Sequence, residues 1–569
     1  MAGARGTLRP CSMVKARSQE TPCVLASTGE QVRKESPCVV AVNQNAQIVS
    51  ALSSDLESSS SSKEAHAYVT LLYGDEFVLG ARVLGKSIRD TQSTKETVVL
   101  VSDGVSDYAK TLLQADGWIV KPISLLENPN QVRPTRFWGV YTKLKIFNMT
   151  DYEKVVYLDA DTIVVKNIDV LFKCEKFCAN LKHSERLNSG VMVVEPSEEL
   201  FNDMISKVTT LYSYTGGDQG FLNAYYAGFP SARVFDPNVS PEELDSRPVA
   251  EMERLSTLYN ADVGLYMLAN KWMVDEKELC VIHYTLGPLK PWDWWTSWLL
   301  KPVDIWQDVR DNLEESLPGT RGGRNPHDVL LVKFLFLLPI FILLFCYYRS
   351  FLQTRSLCDH ARHIYYKFRS GGALAYTAVS SSNINSNQQF SNGAHSIVPA
   401  FLGGMSILVC FITAVVSLGF GLSVVPRQVK PWTGLILMYE WIFTVFFLLF
   451  GCYLHIVYRW GRMVANHTGN PRPASSDYDS EKGHQRVSCD VAPWFYALGM
   501  AFLAIAAPLA PGIFGITALL LRLSLMFVGG LVFVSFMTYA SQQLAIKSFM
   551  RGIEDKDTSR TRNICLLCC

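Results

Sequence analysis

Val155-Val156-Tyr157-Leu158-Asp159-Ala160-Asp161 is the run on which the fold turns. Four apolar residues in succession, two of them β-branched, read as a buried central strand. Two carboxylates follow, one residue apart, where the chain leaves that strand. Residues i and i+2 of a strand point to one face, so Asp159 and Asp161 can converge at the strand's carboxyl end, and ligands of open α/β sheets bind outside those ends. An Asp-x-Asp on its own is commonly a solvated turn. Behind a buried strand it becomes a candidate holder of a divalent cation, because hard cations take oxygen ligands and can bridge the phosphates of a nucleotide diphosphate.

Further strands and helices alternate around this run. Ala67 to Tyr73, Thr97 to Val101, Trp118 to Ile123 and Val191 to Val194 read as strands. After Gly74-Asp75, Phe77, Val83, Leu84 and Ile88 cover one helical face. Tyr108 to Ala115 and about Trp138 to Met149 read as helices, and Ser197, with Glu198 and Glu199 in the first turn, caps another. Alternating elements predict a mainly parallel, doubly wound sheet, and residues 65–315 are expected to form one α/β domain.

Several other positions carry chemistry. His283, in the strand-like run Cys280 to Tyr284, is a candidate third metal ligand, since imidazole with two carboxylates suits a borderline ion such as manganese. In Gly287-Pro288-Leu289-Lys290-Pro291-Trp292 the loop is shaped by Gly and Pro, and Lys290 is placed to meet charge developing on a leaving diphosphate. Gly216-Gly217-Asp218-Gln219-Gly220 precedes a helix, where Asp218 either binds sugar hydroxyls or caps the helix. Asn188, in Leu187-Asn188-Ser189-Gly190, can bridge sugar and metal site, and Lys143, on the helix after Arg136, either reaches a phosphate or is a solvated helix position. Cys174 and Cys178 lack a second pair at zinc-site spacing, so buried thiols or one lumenal disulfide are expected.

The remainder of the chain is of a different kind. Hydrophobic content is 49% and charged content 18%, with the apolar residues concentrated in five stretches, about 329–348, 398–425, 432–457, 491–511 and 513–540. Each is long enough to cross a hydrocarbon core, which takes ~20 helical residues, so 329–540 is expected to be a transmembrane domain of about five helices, joined by a linker at 316–328 and followed by a cytosolic tail at 541–569. The fourth and fifth stretches are divided only by Pro511-Gly512, and Arg522 lies inside the fifth, where it snorkels, faces the bundle or marks a misplaced boundary. Lys and Arg collect after the first, third and fifth stretches. That side should be cytosolic, leaving the α/β domain lumenal; the sequons at Asn148 and Asn238 are compatible with this. Residues 1–64, with a serine run at 58–62, are expected to be a disordered leader. The balance of 53 basic and 52 acidic residues gives no sign of a nucleic-acid partner.

Tyr157-Leu158-Asp159-Ala160-Asp161, Leu187-Asn188-Ser189-Gly190-Val191, Gly217-Asp218-Gln219-Gly220 and His283-Tyr284-Thr285-Leu286-Gly287-Pro288-Leu289-Lys290-Pro291-Trp292 occur in that order. Together they resemble the glycogenin-like branch of glycosyltransferase family 8. Trp292-Asp293-Trp294-Trp295-Thr296-Ser297-Trp298, Lys301-Pro302-Val303-Asp304 and the apolar tail narrow the resemblance to the plant glycogenin-like starch initiation proteins, the inositol phosphorylceramide glucuronosyltransferases. The resemblance implies a GT-A (Rossmann-like) catalytic domain, manganese, a UDP-glucuronate donor, a sphingolipid acceptor, retention of configuration and a multi-pass Golgi location. It implies Asp159, Asp161 and His283 as metal ligands and places Asp218, Gln219 and Lys290 at donor-site positions, where they are the candidate catalytic residues. Lys143, Asn188, Ser189, Gly217 and Gly287 are then substrate-binding, and Lys182, His183 and Arg186 are candidate cations for the glucuronate carboxylate. Self-glucosylation is not expected, because the glycogenin tyrosine has no clear counterpart. The hydrophobic leader of the family's membrane members has no match in residues 1–64, so a different start is expected. The alternatives are a UDP-glucose or UDP-galactose transferase acting on a glycan, and a non-catalytic membrane scaffold.

Overall fold

The computed structural model describes residues 65–129, 139–182, 185–240, 243, 246–287, 289–299, 302–316, 326–353, 398–467, 491–516 and 518–554. The leader 1–64, most of the linker, the loops after the first and third apolar helices, the end of the tail, Arg136 and His183 lie outside them.

Four adjacent parallel strands make one side of the main sheet: β1 (His66–Leu72), β2 (Glu96–Val101), β3 (Ile119–Pro122) and β4 (Lys154–Leu158), in the order β3-β2-β1-β4. Their inward residues are fully covered, with Val69, Val98, Val155 and Val156 all at 1% exposure or less. Helices α1 (Val78–Asp90) and α2 (Asp107–Ala115) pack on one face. Ser106 caps α2 by accepting from the Ala109 amide, as Ser197 caps α3 (Glu198–Lys207) from the Leu200 amide; such caps contribute about 1 kcal/mol each.

Beyond β4 a single strand reverses within a sheet that is otherwise parallel, so the mainly parallel sheet expected is present with one strand turned round. β5 is Thr162–Val164 and β6 is Phe177–Leu181. β7 (Leu187–Val194) runs antiparallel to both β4 and β6, and β8 (Arg233–Val234) and β9 (Glu253–Leu255) complete the edge. Only 182–186 separates β6 from β7, closed by Lys182 N–H to Arg186 O at 3.0 Å, and a parallel crossover needs a dozen residues or more. The sheet is therefore mixed. A small second sheet, β10 (Ala261–Asp262), β11 (Val281–His283) and β5, sits at the carboxyl end of β4. The region expected as a helix from Trp138 is a tighter 3₁₀ turn over Val140–Asn148. Cys174 and Cys178 form a disulfide, which uses the sulfurs a zinc site would have needed.

Helix α4 is Asp218–Tyr225, α5 Val263–Ala269, α6 Thr296–Leu299 and α7 Val303–Ser316. Among the described residues five apolar helices follow: α8 (Pro326–Gln353), α9 (Leu402–Val424), α10 (Pro431–His467), α11 (Val491–Ile513) and α12 (Leu519–Glu554). Among the described residues three are long and apolar enough to cross a membrane, at Leu402–Val424, Pro431–Ala465 and Leu519–Ile553, while Leu330–Cys346 and Leu498–Ile513 are shorter apolar stretches. Helix α11 continues through Pro511 and the break falls near Gly515, which has φ of +65°, rather than at Pro511-Gly512.

The tryptophan-rich motif joins the two halves. Trp292 packs with Trp306 inside the α/β domain, whereas Trp294 is buried with Leu335, Val429, Leu435 and Trp441 of the helical part. Asp293 accepts from Arg427 at 2.8 Å, Trp294 N–H donates to Arg427 O at 3.0 Å, and Trp298 meets Trp432 edge-on at 4.7 Å. Arg522 donates to Leu299 O at 3.0 Å, so it faces the α/β domain at the end of α6 rather than lipid.

Candidate active site

Asp159 leaves β4 pinned from two sides. Its amide donates to Gly190 O at 2.9 Å, and its carbonyl accepts from the amide and hydroxyl of Thr162 at 3.0 and 2.7 Å. The chain then enters β5, whose antiparallel register with β11 sets His283 opposite Thr162, next to Asp161. Tyr284 N–H donates to Asp161 O at 3.0 Å and fixes the other edge. The imidazole thus arrives by sheet register across 122 residues of chain (283 − 161). His283 Nε2 lies 3.4 Å from Asp161 Oδ1 and 3.9 Å from Asp159 Oδ2. One ligand atom from each of the three residues lies within 4.8 Å of the others, so the group can hold a metal ion.

The orientation of that imidazole follows from one backbone group. The Gly190 amide can only donate, and it reaches Asn188 Oδ1 at 3.0 Å, which settles the Asn188 amide. Asn260 Nδ2 therefore donates to the same oxygen at 2.9 Å, and Asn260 Oδ1 accepts from His283 Nδ1 at 3.0 Å. Nδ1 carries a proton and Nε2 faces the carboxylates, so that a metal held there would meet the Nε2 lone pair, the arrangement that metal-ligating histidines adopt. Gly190 is a close-approach position: a Cβ there would run into the His283 ring. Asn188 Nδ2 continues the chain to Gln219 Oε1 at 3.1 Å, and Gln219 Nε2 donates to Tyr214 OH at 3.3 Å.

Two lysines flank the carboxylates. Lys290 Nζ lies 2.5 Å from Asp161 Oδ2 and donates to Tyr284 O at 3.2 Å. Burial works against the charge on Asp161, but His283 and Lys290 hold it well below the ordinary carboxylate range. Lys143 is buried, not solvated, and lies 3.0 Å from Asp159 Oδ1 and 3.1 Å from Asp218 Oδ2. Burial opposes its charge too, yet Asp159 and Asp218 hold the ammonium well above the ordinary lysine range. Ser189 Oγ donates to Asp218 Oδ2 at 2.8 Å, and Tyr157 OH donates to Asp159 Oδ1 at 2.7 Å. Asp218 does not cap α4. Gly217 occupies that position, and Thr215 Oγ1 accepts from the amides of Gly217 and Gly220 at 3.2 and 3.0 Å, leaving Asp218 to Lys143 and Ser189.

The remaining candidates separate. Arg186 is exposed at the start of β7, its guanidinium 3.8 Å from the ring centre of Tyr214, which binds Gln219. Lys182 turns the other way, donating to Asn260 O at 3.0 Å and pairing with Asp262 at 3.6 Å; burial pushes its pKa down against Asp262. Gly287 lies in the loop that returns Lys290 to Asp161. Asn260 escaped the sequence reading, because no local pattern marks it and only the pairing of β10 with β11 brings it to His283.

A family model described as Glycosyl transferase family 8 matches residues 68–296, the segment that builds this site. Inositol phosphorylceramide glucuronosyltransferase 1 of Arabidopsis thaliana is 66% identical over 512 residues, covering 88% of this chain and 94% of that protein. The chain belongs to glycosyltransferase family 8. Mouse glycogenin-1 is 31% identical over 40% of this chain and 66% of its own length. Among solved structures, the galactosyltransferase LgtC in complex with donor and acceptor sugar analogs matches 45% of this chain and 99% of its own at 16% identity, with a TM-score of 0.33. As a family 8 member this chain is a glycosyltransferase of GT-A fold that takes a UDP-sugar, and Asp159, Asp161 and His283 form a group suited to the divalent metal such enzymes use.

Proposed function

We propose that this chain is a retaining glucuronosyltransferase, moving glucuronic acid from UDP-glucuronate to inositol phosphorylceramide, with manganese, on the lumenal face of the Golgi. The observation that carries the proposal is the 66% identity over 88% of the chain, which takes in the apolar helices as well as the catalytic domain.

Asp159, Asp161 and His283 would hold the manganese, which when bound offsets the charge of the diphosphate. Lys290, already beside Asp161, stabilises the same charge as it develops on the departing UDP. Asp218, anchored by Lys143 and Ser189, and Gln219, anchored by Asn188, present polar groups to the sugar. As the bond to the UDP oxygen breaks the sugar passes through an oxocarbenium-like state, and the acceptor hydroxyl attacks from the leaving-group face, passing its proton to the departing diphosphate. Asp218 Oδ2 is engaged by Lys143 and Ser189, which favours an orienting role for it over that of a covalent nucleophile.

Helix direction supports the membrane arrangement. The starts of α10 and α12 and the end of α9 meet the α/β domain, through Trp432, Arg522 and Arg427 just after α9. Helices α10 and α12 therefore run away from the domain. Their far ends carry Arg459 and Arg462, and Lys547 and Arg551, and a basic side is the cytosolic one. The Cys174–Cys178 disulfide suits an oxidising lumen.

Among the described residues, Arg186 is the candidate cation open to the glucuronate carboxylate, since Lys182 is engaged by Asp262. Purified full-length protein should transfer from UDP-glucuronate in preference to UDP-glucose, lose activity to a chelator and regain it with manganese. Arg186→Ala should raise KM for UDP-glucuronate by about tenfold while leaving KM for UDP-glucose unchanged. Preference for UDP-glucose by the wild type would overturn the donor assignment.

Asn260→Ala should raise the manganese concentration for half-maximal activity by about 10–100-fold, the usual effect of losing a group that orients a metal-ligating histidine. An unchanged manganese requirement would show that Asn260 does not hold the imidazole.

A further inference from the structure

Between α9, α10, α11 and α12 lies a cavity of about 570 Å³, the size class of ligand pockets. Met438, Phe443, Ala504, Ala507, Gly530 and Phe533 line it. Its lining is apolar apart from Tyr439, whose hydroxyl is satisfied by donating to Ala504 O at 3.0 Å. No polar ligand gains from entering such a space, and a hydrocarbon chain does.

Its depth and direction are informative. Along α10 the lining runs from Met438 to Phe447, which places it roughly 10 to 24 Å from Pro431 at 1.5 Å per residue. Pro431 begins the helix at the face that meets the α/β domain, where Trp432 touches Trp298. Met438 and Tyr439 also pack against the cluster built on Trp294. The space therefore starts one to two helical turns beneath the domain that carries Lys290 and descends into the span. Val415, Leu418 and Phe447 on its lining keep 68%, 47% and 43% of their surface exposed, so it is continuous with the lipid-facing surface.

We infer that this cavity binds a hydrocarbon chain of the acceptor lipid, holding the headgroup at the mouth of the catalytic domain. The inference rests on the lipid-acceptor function proposed above and adds a tail site to it. The site would select acceptors by chain length, because a shorter chain buries less apolar surface in it.

Gly530 offers a direct test, because a Cβ there meets nothing within 4 Å and a larger side chain can enter the space without striking backbone. In the full chain, in nanodiscs, KM would be compared for a long-chain and a water-soluble short-chain inositol phosphorylceramide. Gly530→Phe should raise the long-chain KM relative to the short-chain KM by about tenfold, the scale on which hydrophobic pockets discriminate. Gly419→Phe, on an open surface away from the cavity, should leave the ratio unchanged. An unaltered ratio in Gly530→Phe would overturn the inference and leave the cavity to a structural lipid. Should that variant fail to fold, a long-chain acceptor bearing a terminal photoreactive group gives the answer in the wild type. Cross-links within 500–508 and 526–537, competed by unlabelled acceptor and not by phosphatidylcholine, support the site; uncompeted or scattered cross-links overturn it. Failure of the wild type to use either acceptor would instead count against the proposed function.

Discussion

Asp161→Asn is expected to lower transfer and donor hydrolysis by about 10²–10³-fold, the scale seen when one preorganised charge-stabilising group is removed. The substitution keeps the shape and removes the charge on which His283 and Lys290 both converge, at 3.4 and 2.5 Å. Lys290 would then face a neutral amide that can turn its NH₂ toward the ammonium. The half-saturating manganese concentration should rise together with the fall in kcat, because one oxygen ligand has lost its charge. Lys290→Met should instead lower kcat with little change in manganese requirement. Measuring both parameters in both variants separates the two roles, and wild-type turnover in Asp161→Asn would remove the Asp pair from the reaction altogether.

How much of this site could be read from the chain depends on how each residue is brought to it. Asp159 and Asp161 follow a buried strand within a few residues, so local pattern suffices. His283 and Lys290 were legible because their own run carries a strand and a Gly/Pro-shaped loop. Asn260 was not, since β10 has two residues and its pairing with β11 is a tertiary fact. The antiparallel β7 was missed for a related reason. A buried antiparallel strand and a buried parallel one are both continuous apolar runs, and only the short 182–186 connection tells them apart. Lys182 looked equivalent to Arg186 in sequence; the hairpin sends one inward to Asp262 and the other out onto Tyr214. The contacts by which Trp294 and Arg522 join the α/β domain to the apolar helices link segments far apart in the chain, where local periodicity carries no information.

Lys143→Met tests the least anticipated part of the site, a lysine that joins Asp159 and Asp218 with 9% of its side chain exposed. Methionine fills nearly the same volume, so packing survives and the charge alone is lost. Two carboxylates that shared one ammonium are then left close together and poorly solvated. Removing one member of a buried ion pair costs about 3–5 kcal/mol. The lower end, ~3 kcal/mol, is expected here, because Asp159 keeps 26% of its side chain exposed and water screens part of the penalty. The melting temperature of the full chain should fall by several degrees, and activity should fall with it as Asp218 loses its anchor. Saturating manganese should restore part of the stability, since a ligand that binds only the folded state stabilises it and offsets the charge of Asp159. It should not restore the activity lost through Asp218, which lies outside the Asp159–Asp161–His283 group. A variant that melts with the wild type in the absence of manganese would mean that the buried ammonium contributes nothing net; full recovery of activity with manganese would mean that Lys143 serves the metal site alone and that Asp218 does not need it.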